Sequence, residues 1–466
     1  MKRLPFAVIF AGLVAGSLLT ACDTTNEYEV YTSNDCLISA VTLGSIPRTI
    51  HTLSSTGADS TYEVSVTGSL YPMYIDQLNN RVYNADSLPK GTQQDKIVFS
   101  AFNTSGSVMA IRSLTSDNDT TFVRTDSTDF TSPRIITVYS SDNTMSRSYE
   151  VKVNVHQEEG DSMNWSKMAE GNATVAAWEK SRTLAVGTAL YFYGRRPDGR
   201  TELIRTSADA PSLADAPVQV GASTGQELDI RSIHYFKGTF VSLASGEVVA
   251  SADGAQTYAP TGASLTFESI AAQSTDSLYA IAGDALYASA DARSWTRCAT
   301  DTENRLPTAD AAGCIIPSPI QDTYESVVMT GTRAGESVVW KRDIDRGGEH
   351  SFAWTFLPQT EELGEYACPA LTHTSLLAYD GSSLLIGMNA DGTAADFYLS
   401  GDNGRTWKTG EIKAPSLSGA TALSAAVDAN QHIWVVCSGT GDVWRGRLNR
   451  LGWEVNQTVF DRSRRQ

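Results

Sequence analysis

One strand-rich pattern recurs through the C-terminal two-thirds of this chain. GTFVSLASGEVVASADGAQTYAP begins at residue 238, DSLYAIAGDALYASADARSWTRC at 276, and YESVVMTGTRAGESVVWKRDID at 324, the last leading into AWTFLP. SSLLIGMNADGTAADFYLSGDNGRTWKTG begins at 382 and HIWVVCSGTGDVWRGRLNRLGWEV at 432, and TALYFYGRRPDGRTELIRTSADAPSL from 188 is an earlier copy. Each copy holds an apolar strand, a turn, a second strand ending in Ser-x-Asp or a relative, another turn and a short aromatic strand. The aromatics Tyr258, Trp295, Trp354, Trp407 and Trp453 step by 37, 59, 53 and 46 residues. A period of about fifty residues with no helical pattern predicts the blades of a β-propeller. Six copies predict six blades, and NWSKM at 164–168, an additional outer strand, leaves a seventh open.

The densest polar cluster in these copies is SGDNGRTW at 400–407. It resembles the Asp box, Ser-x-Asp-x-Gly-x-Thr-Trp, of sialidase-like and several unrelated propellers, through Ser400, Asp402, Gly404, Thr406 and Trp407. SADGAQTY keeps Ser251, Asp253 and Thr257 but has Ala255 and Tyr258 at the glycine and Trp positions. SADARSW keeps Ser289, Asp291 and Trp295 in a loop one residue shorter, and SADAPSL (207–213) keeps only its front half. The physics is that of a hairpin corner. Ser and Asp side chains bond nearby backbone groups, glycine supplies a backbone angle that a Cβ opposes, and the aromatic ring fills the space between sheets. The resemblance implies a structural role, remote from any ligand funnel.

Catalytic signals elsewhere are thin. A sialidase would carry an arginine triad, a Tyr–Glu nucleophile pair, an acid Asp and an Arg-Ile-Pro motif before the first Asp box. Residues 166–206 hold no such motif, and Ile46-Pro47-Arg48 has the reverse order in the wrong domain. Gly221-Ala222-Ser223-Thr224-Gly225 has the letters of a nucleophile elbow, but the strand-like QELDIRSIHYF follows where a helix is required, so it reads as an interblade loop. Gly160-Asp161-Ser162 reads as part of a linker. His51, His156, His234, His350, His373 and His432 are isolated, with no metal-ligand spacing, and neither a metal nor a cofactor is expected. Cys36, Cys298, Cys314, Cys368 and Cys437 form no CxxC. Two buried thiols at Cys298 and Cys314 are the expectation, with a disulfide between them left open.

The start of the chain concerns location. Met1-Lys2-Arg3 precedes an apolar run from Leu4 to Leu19, then Leu19-Thr20-Ala21-Cys22. The run is short for a bilayer span and has the layout of a secretory signal. Its end resembles the lipobox of bacterial lipoproteins, which implies acylation of Cys22 and a tether that does not span the membrane. Asp23, Glu27 and Glu29 weakly resemble the acidic stretch that sends Bacteroidetes lipoproteins to the cell surface. Removal of residues 1–21 takes the formal charge from −17 to −19. That surface repels phosphate backbones, so nucleic acid is not an expected partner.

All nine Trp lie at or after Trp165, which marks a boundary near GDSMNW (160–165). Before it, TYEVSV, DKIVFSAF, PRIITVYSS and SYEVKVNVH read as strands, with Ser141-Asp142-Asn143 as turn chemistry. Tyr149, Val151, Val153 and Val155 share one face. The spacing predicts an immunoglobulin-like β-sandwich. VYSSDNTMSRSYEVKVNV resembles the last hairpin of Ig-like modules in Bacteroidetes surface proteins, and YNADSLPKGTQQDKIVFSA resembles the N-terminal domain of an uncharacterised lipoprotein family there. TSDNDTTFVRTDSTDFTS (115–132) reads as an exposed loop. Asp-Ser/Thr pairs at Asp23, Asp59, Asp86, Asp119, Asp126, Asp161 and Asp276 resemble O-glycosylation acceptors, which chance matches in a Ser/Thr-rich chain would equal.

The expected order is a lipoprotein signal over 1–21, a tether over 22–33, the sandwich over 34–157, a linker over 158–163 and the propeller over 164–466. The whole is all-β. The expected function is an outer-membrane, surface-exposed protein whose non-catalytic propeller binds a glycan or protein ligand, the alternative being a carbohydrate-active, sialidase-like enzyme. Fold alone does not choose between them. Convergent arginines with paired carboxylates would mark an enzyme, while an aromatic platform or a plugged tunnel would mark binding or scaffolding.

Overall fold

The computed structural model describes residues 33–53, 58–106, 108–214, 216–254, 256–348 and 352–453. Cys22, the leader and His350 lie outside them. The chain divides into two compact units, Met1–Gln157 and Glu158–Gln466. Among the described residues no helix is long and apolar enough to cross a membrane.

The first unit is built from strands. Its largest sheet runs, in spatial order, Met73–Asp76, Arg81–Asn84, Ser146–Lys152, Arg134–Tyr139, Val108–Arg112, Asp119–Thr121. The last two long runs form the expected hairpin, pairing Tyr139 with Ser146. Its turn is held by Ser140 and Thr144, both donating to Asp142 Oδ1. The period-2 pattern is realised in burial: Tyr149, Val151 and Val153 are closed off from solvent. The polar stretch 115–132 is mostly exposed, yet Phe122 and Phe130 from it are buried edge-on against Phe99.

The second unit is a β-propeller. Its first sheet has the strands Lys180–Val186, Ala189–Arg195, Thr201–Ser207, Val218–Ala222, and continues through Thr257–Pro260, Glu247–Ser251, Thr239–Ala244 to Leu228–Phe236. The two halves join only where the outer strands run parallel at Gly221↔Thr257 and Ala222↔Tyr258. Separate sheets then start from Ser269–Gln273, Ala309–Pro317, Thr372–Tyr379 and Ala422–Val427. These six innermost strands touch in cyclic order, each the next and the last the first, so a ring closes around an axis. Core clusters sit between neighbouring sheets. Tyr193, Phe240 and Tyr258 fill one junction, Cys314, Val339 and Trp407 another, Phe192, Trp178 and Trp434 the junction where the chain's last sheet meets its first. An apolar sheet face can be covered only by the next sheet, which makes the ring self-supporting.

Two sequence expectations change. The repeated copies supply the second and third strands, and those from 238, 276 and 324 an outermost strand as well, while the innermost strand of each sheet lies before its copy. And NWSKM does not begin another sheet. The strand Met163–Ala169 pairs antiparallel with Asp442–Leu448, with Trp165 opposite Gly446, and becomes the outer strand of the last sheet. It takes the place expected of the Trp453 segment, which instead follows a 3-10 turn, Asn449–Gly452. The stretch 158–163 is exposed but not a free linker. Gly160 O accepts from Arg450 N, Ser162 O from Asn449 N, and Asp161 pairs with Arg450.

Cys298 and Cys314 are free thiols; Cys314 is buried as expected, but Cys298 is only half-buried. Burial pushes Cys314 up to about 12.

Candidate functional site

The sequence-derived corner is a hydrogen-bonded turn closed on Asp402. Ser400 ends the third strand of its sheet, Tyr398–Ser400. Asp402 Oδ1 accepts from Ser400 Oγ at 2.9 Å, Arg405 N at 3.1 Å and Thr406 N at 2.9 Å, and Oδ2 accepts from Thr406 Oγ1 at 2.7 Å. Burial pushes this carboxyl up, but those bonds outweigh it and hold it below the usual range. Gly404 has φ +94°, and a Cβ there would meet Val328 and Val339 at 3.0 Å. Trp407 is fully buried, its Nε1 donating to Gly404 O at 3.1 Å.

The relatives share the design. Ser251 Oγ donates to Asp253 and accepts from Gly254 N, and Gly254, at φ +67°, stands one place before the position aligned with Gly404. Thr257 begins the outer strand, and Tyr258 is fully buried. Asp291 accepts from Ser289, Arg293 N and Ser294 N, while Trp295 is half-buried against Phe267. Ser251 and Ser289 also end third strands. All three corners therefore sit two strands out from the axis.

The polar convergence lies where the innermost strands begin. A funnel of 430 Å³ is lined there by Lys180, Asp229, Arg231, Glu268, Asp310 and His373 among others. These residues come from five different inner strands or the turns before them, so no sequence window contains the site. Four of the strands have register irregularities at this end, between Asp229 and His234, Ile270 and Ala272, Ala309 and Ala312, and Thr372 and Ser375. Such bulges re-aim side chains out of the regular alternation. Asp310 and His373 both have φ +50°, an uncommon conformation for non-glycine residues. They support one another: His373 N donates to Asp310 Oδ1 at 2.8 Å.

Arg231, inside the first of those irregular stretches, crosses the axis. Its guanidinium donates to Ser181 O at 3.5 Å, and to both the carbonyl and the hydroxyl of Thr374, three places around the ring. It separates the funnel from a second chamber of 280 Å³, lined by later residues of the inner strands, including Arg182, His234 and Gln273. Burial lowers the Arg231 pKa, while Asp310 and Asp229 oppose that shift. The carboxylates near it are committed. Asp229 accepts from Arg231 N and from Ser232 Oγ at 2.6 Å, and Ser232 Oγ accepts from Ile270 N. Glu268 accepts from Gly283 N.

Two of the six isolated histidines thus meet the axis. His234 is buried with Nδ1 3.0 Å from Ser232 O. Burial and then the charge of Arg182 push it down to about 3, so it is neutral at physiological pH. Among the described residues no group of three His, Cys, Asp or Glu could hold a metal ion. The funnel lining contains no Phe, Tyr or Trp. An exposed aromatic pair, Tyr74 and Tyr83 with centroids 6.2 Å apart, is found instead on the first unit. Sequence reading missed Arg231. Its signal was the strand-like QELDIRSIHYF, but the direction of its side chain is set by the bulge and by ring closure.

The profile described as the DUF6242 beta propeller domain matches residues 159–456, and the DUF6242 N-terminal domain, a domain of unknown function, matches 41–153. The chain belongs to the DUF6242 family. No curated protein matches it. Solved structures similar to this DUF6242 chain include a streptogramin B lyase, at 8% identity and TM-score 0.32, covering 62% of this chain and 98% of that one. The SapL1 lectin in complex with alpha methyl fucoside matches at 12% and 0.32, covering 56% and 90%. A Trichoderma reesei carbohydrate-active enzyme of family AA12 matches at 10% and 0.35, covering 61% and 96%. At these scores the likenesses decide nothing about the DUF6242 funnel.

Proposed function

We propose that this protein is a cell-surface lipoprotein, anchored through Cys22, whose propeller is a non-catalytic module that binds a glycan or protein ligand at the funnel. In this reading the first unit is an Ig-like stalk. The propeller has six blades, closed by the strand Met163–Ala169, and its Ser-x-Asp corners are Asp boxes. The observation that carries the binding reading is Arg231 lying across the axis with its guanidinium bonded to main-chain and hydroxyl oxygens. A group so engaged is a plug. A catalytic guanidinium would face the funnel with donors to spare.

Lys180 and Glu268 line the funnel and are exposed, so they are the side chains a ligand meets. Lys180→Ala and Glu268→Ala should weaken binding on a glycan array or to a captured surface protein, with the thermal midpoint unchanged. Turnover of a glycan substrate by the full chain, abolished by Asp310→Asn, would overturn the non-catalytic reading in favour of a propeller glycosidase.

A further inference from the structure

Beyond Arg231 the channel opens into the 280 Å³ chamber, a region apart from the funnel and from the binding reading given above. Its lining holds one fixed charge, Arg182, and no carboxylate. The Arg182 Nε is buried without an acceptor, and the guanidinium finds no hydrogen-bond or ion-pair partner among the described residues. The nearby Asp229 is already engaged by Arg231 N and Ser232 Oγ. Burial, and then the charge of Arg231, lower Arg182 to about 10, which leaves it cationic at neutral pH. Desolvation opposes the charge of this half-buried residue, and only Asp229, itself already engaged, partly offsets that cost.

The rest of the wall says what kind of counter-charge fits. Leu184, Ile315, Leu376 and Ala425 face the same space. An inorganic oxyanion would satisfy Arg182 but turn its remaining oxygens toward those hydrocarbon side chains. A carboxylate bonds the planar guanidinium through two parallel N–H···O contacts and leaves an apolar body for the wall. The volume lies below the ~300–1,000 Å³ of common ligand sites, which limits that body to a few carbons. We infer that the inner chamber of the propeller is a binding site for a small organic carboxylate, its head on Arg182 and its hydrocarbon part against Leu184, Ile315 and Leu376. With Arg231 across the other side, the ligand reaches it from the face where the innermost strands end.

The full chain is titrated with sodium butyrate, butyramide and inorganic phosphate at matched ionic strength, followed by calorimetry and by the thermal midpoint. Butyrate is expected to bind saturably and raise the midpoint, and butyramide and phosphate are not. Arg182→Met should weaken butyrate by on the order of 100-fold, the loss of a bidentate charge-assisted pair, while leaving the ligand-free midpoint unchanged or higher. Arg297→Met, on an exposed outer strand, should keep the butyrate response. Lys180→Ala should keep it too, which separates this site from the funnel. If Arg182→Met does not fold, Ala378→Leu, which fills the chamber from another wall, should abolish the response. The assignment fails if butyrate has no effect, as when water alone satisfies Arg182. It fails equally if either chamber variant responds like the wild type, or if phosphate matches butyrate.

Discussion

Trp407→Ala is the most direct test of whether SGDNGRTW holds the fold or serves a ligand. The indole is fully buried, packed among Val328, Val339, Cys368 and Leu385 where two sheets meet. Burial of roughly 200 Å² at ~25 cal/mol/Å² is worth about 5 kcal/mol. Truncation of a core Trp costs ~3–5 kcal/mol once the neighbours relax, so about 4 kcal/mol is expected. Asp402→Ala removes four accepted hydrogen bonds, yet should cost less, about 1–2 kcal/mol. The Asp402 residue is exposed, so water replaces part of what is lost and the charge is screened. For a unit of this size ~1 kcal/mol moves the midpoint by roughly 2 °C, so near-UV circular dichroism of the full chain should show drops of about 8 °C and about 3 °C. Ligand affinity at the funnel, measured well below the transition, should stay the same in both. Loss of binding in Asp402→Ala at an unchanged midpoint would refute the structural reading. Equal losses of stability in the two variants would refute the packing argument.

The corner at Asp291 adds an acid limb. Hydrogen bonds from Ser294 N and then Arg293 N hold its carboxyl down at about 2, against an ordinary 3.8. A depressed carboxyl contributes stability above its unfolded pKa and loses it as pH falls through the folded one. Midpoints measured from pH 6 to pH 2 should therefore fall more steeply in the wild type than in Asp291→Asn between about 4 and about 2, and parallel curves would contradict the assignment. At the other end of the chain, Cys22→Ser should move the protein from the membrane fraction to the supernatant. Unchanged detergent partitioning would remove the anchor from the proposal.

The repeat and its corners were legible because they depend on local chemistry. Ser-x-Asp followed by an aromatic specifies a hairpin whose donors and acceptors lie within a few residues, so Ser400–Trp407 could be read without its neighbours. The hairpin over 134–152 was legible for the same reason, alternation on both sides of an Asp–Asn turn. What chain order hid was closure. Met163–Ala169 reads as a stray strand until its partner, more than 270 residues later, is beside it. Of the innermost strands only the one within QELDIRSIHYF reads as a strand from sequence; three of the others are rich in alanine, with Ala271, Ala272, Ala312, Ala425 and Ala426 all buried. Side chains near an axis where six strands converge have little room, so the alternation that marks a strand is muted there.

The sequence by itself determined the all-β class, the blade repeat and the places where each blade turns. The tertiary structure decided what the axis contains. Nothing within QELDIRSIHYF says that Arg231 should leave its sheet, or that its acceptors are Ser181 and Thr374. Nothing near Arg182 says that no carboxylate will reach it. Both facts depend on side chains from strands far apart in the chain being brought to one line by ring closure. A charge held near the axis in that way has its energy set by which partners the ring delivers, and local sequence carries no record of them.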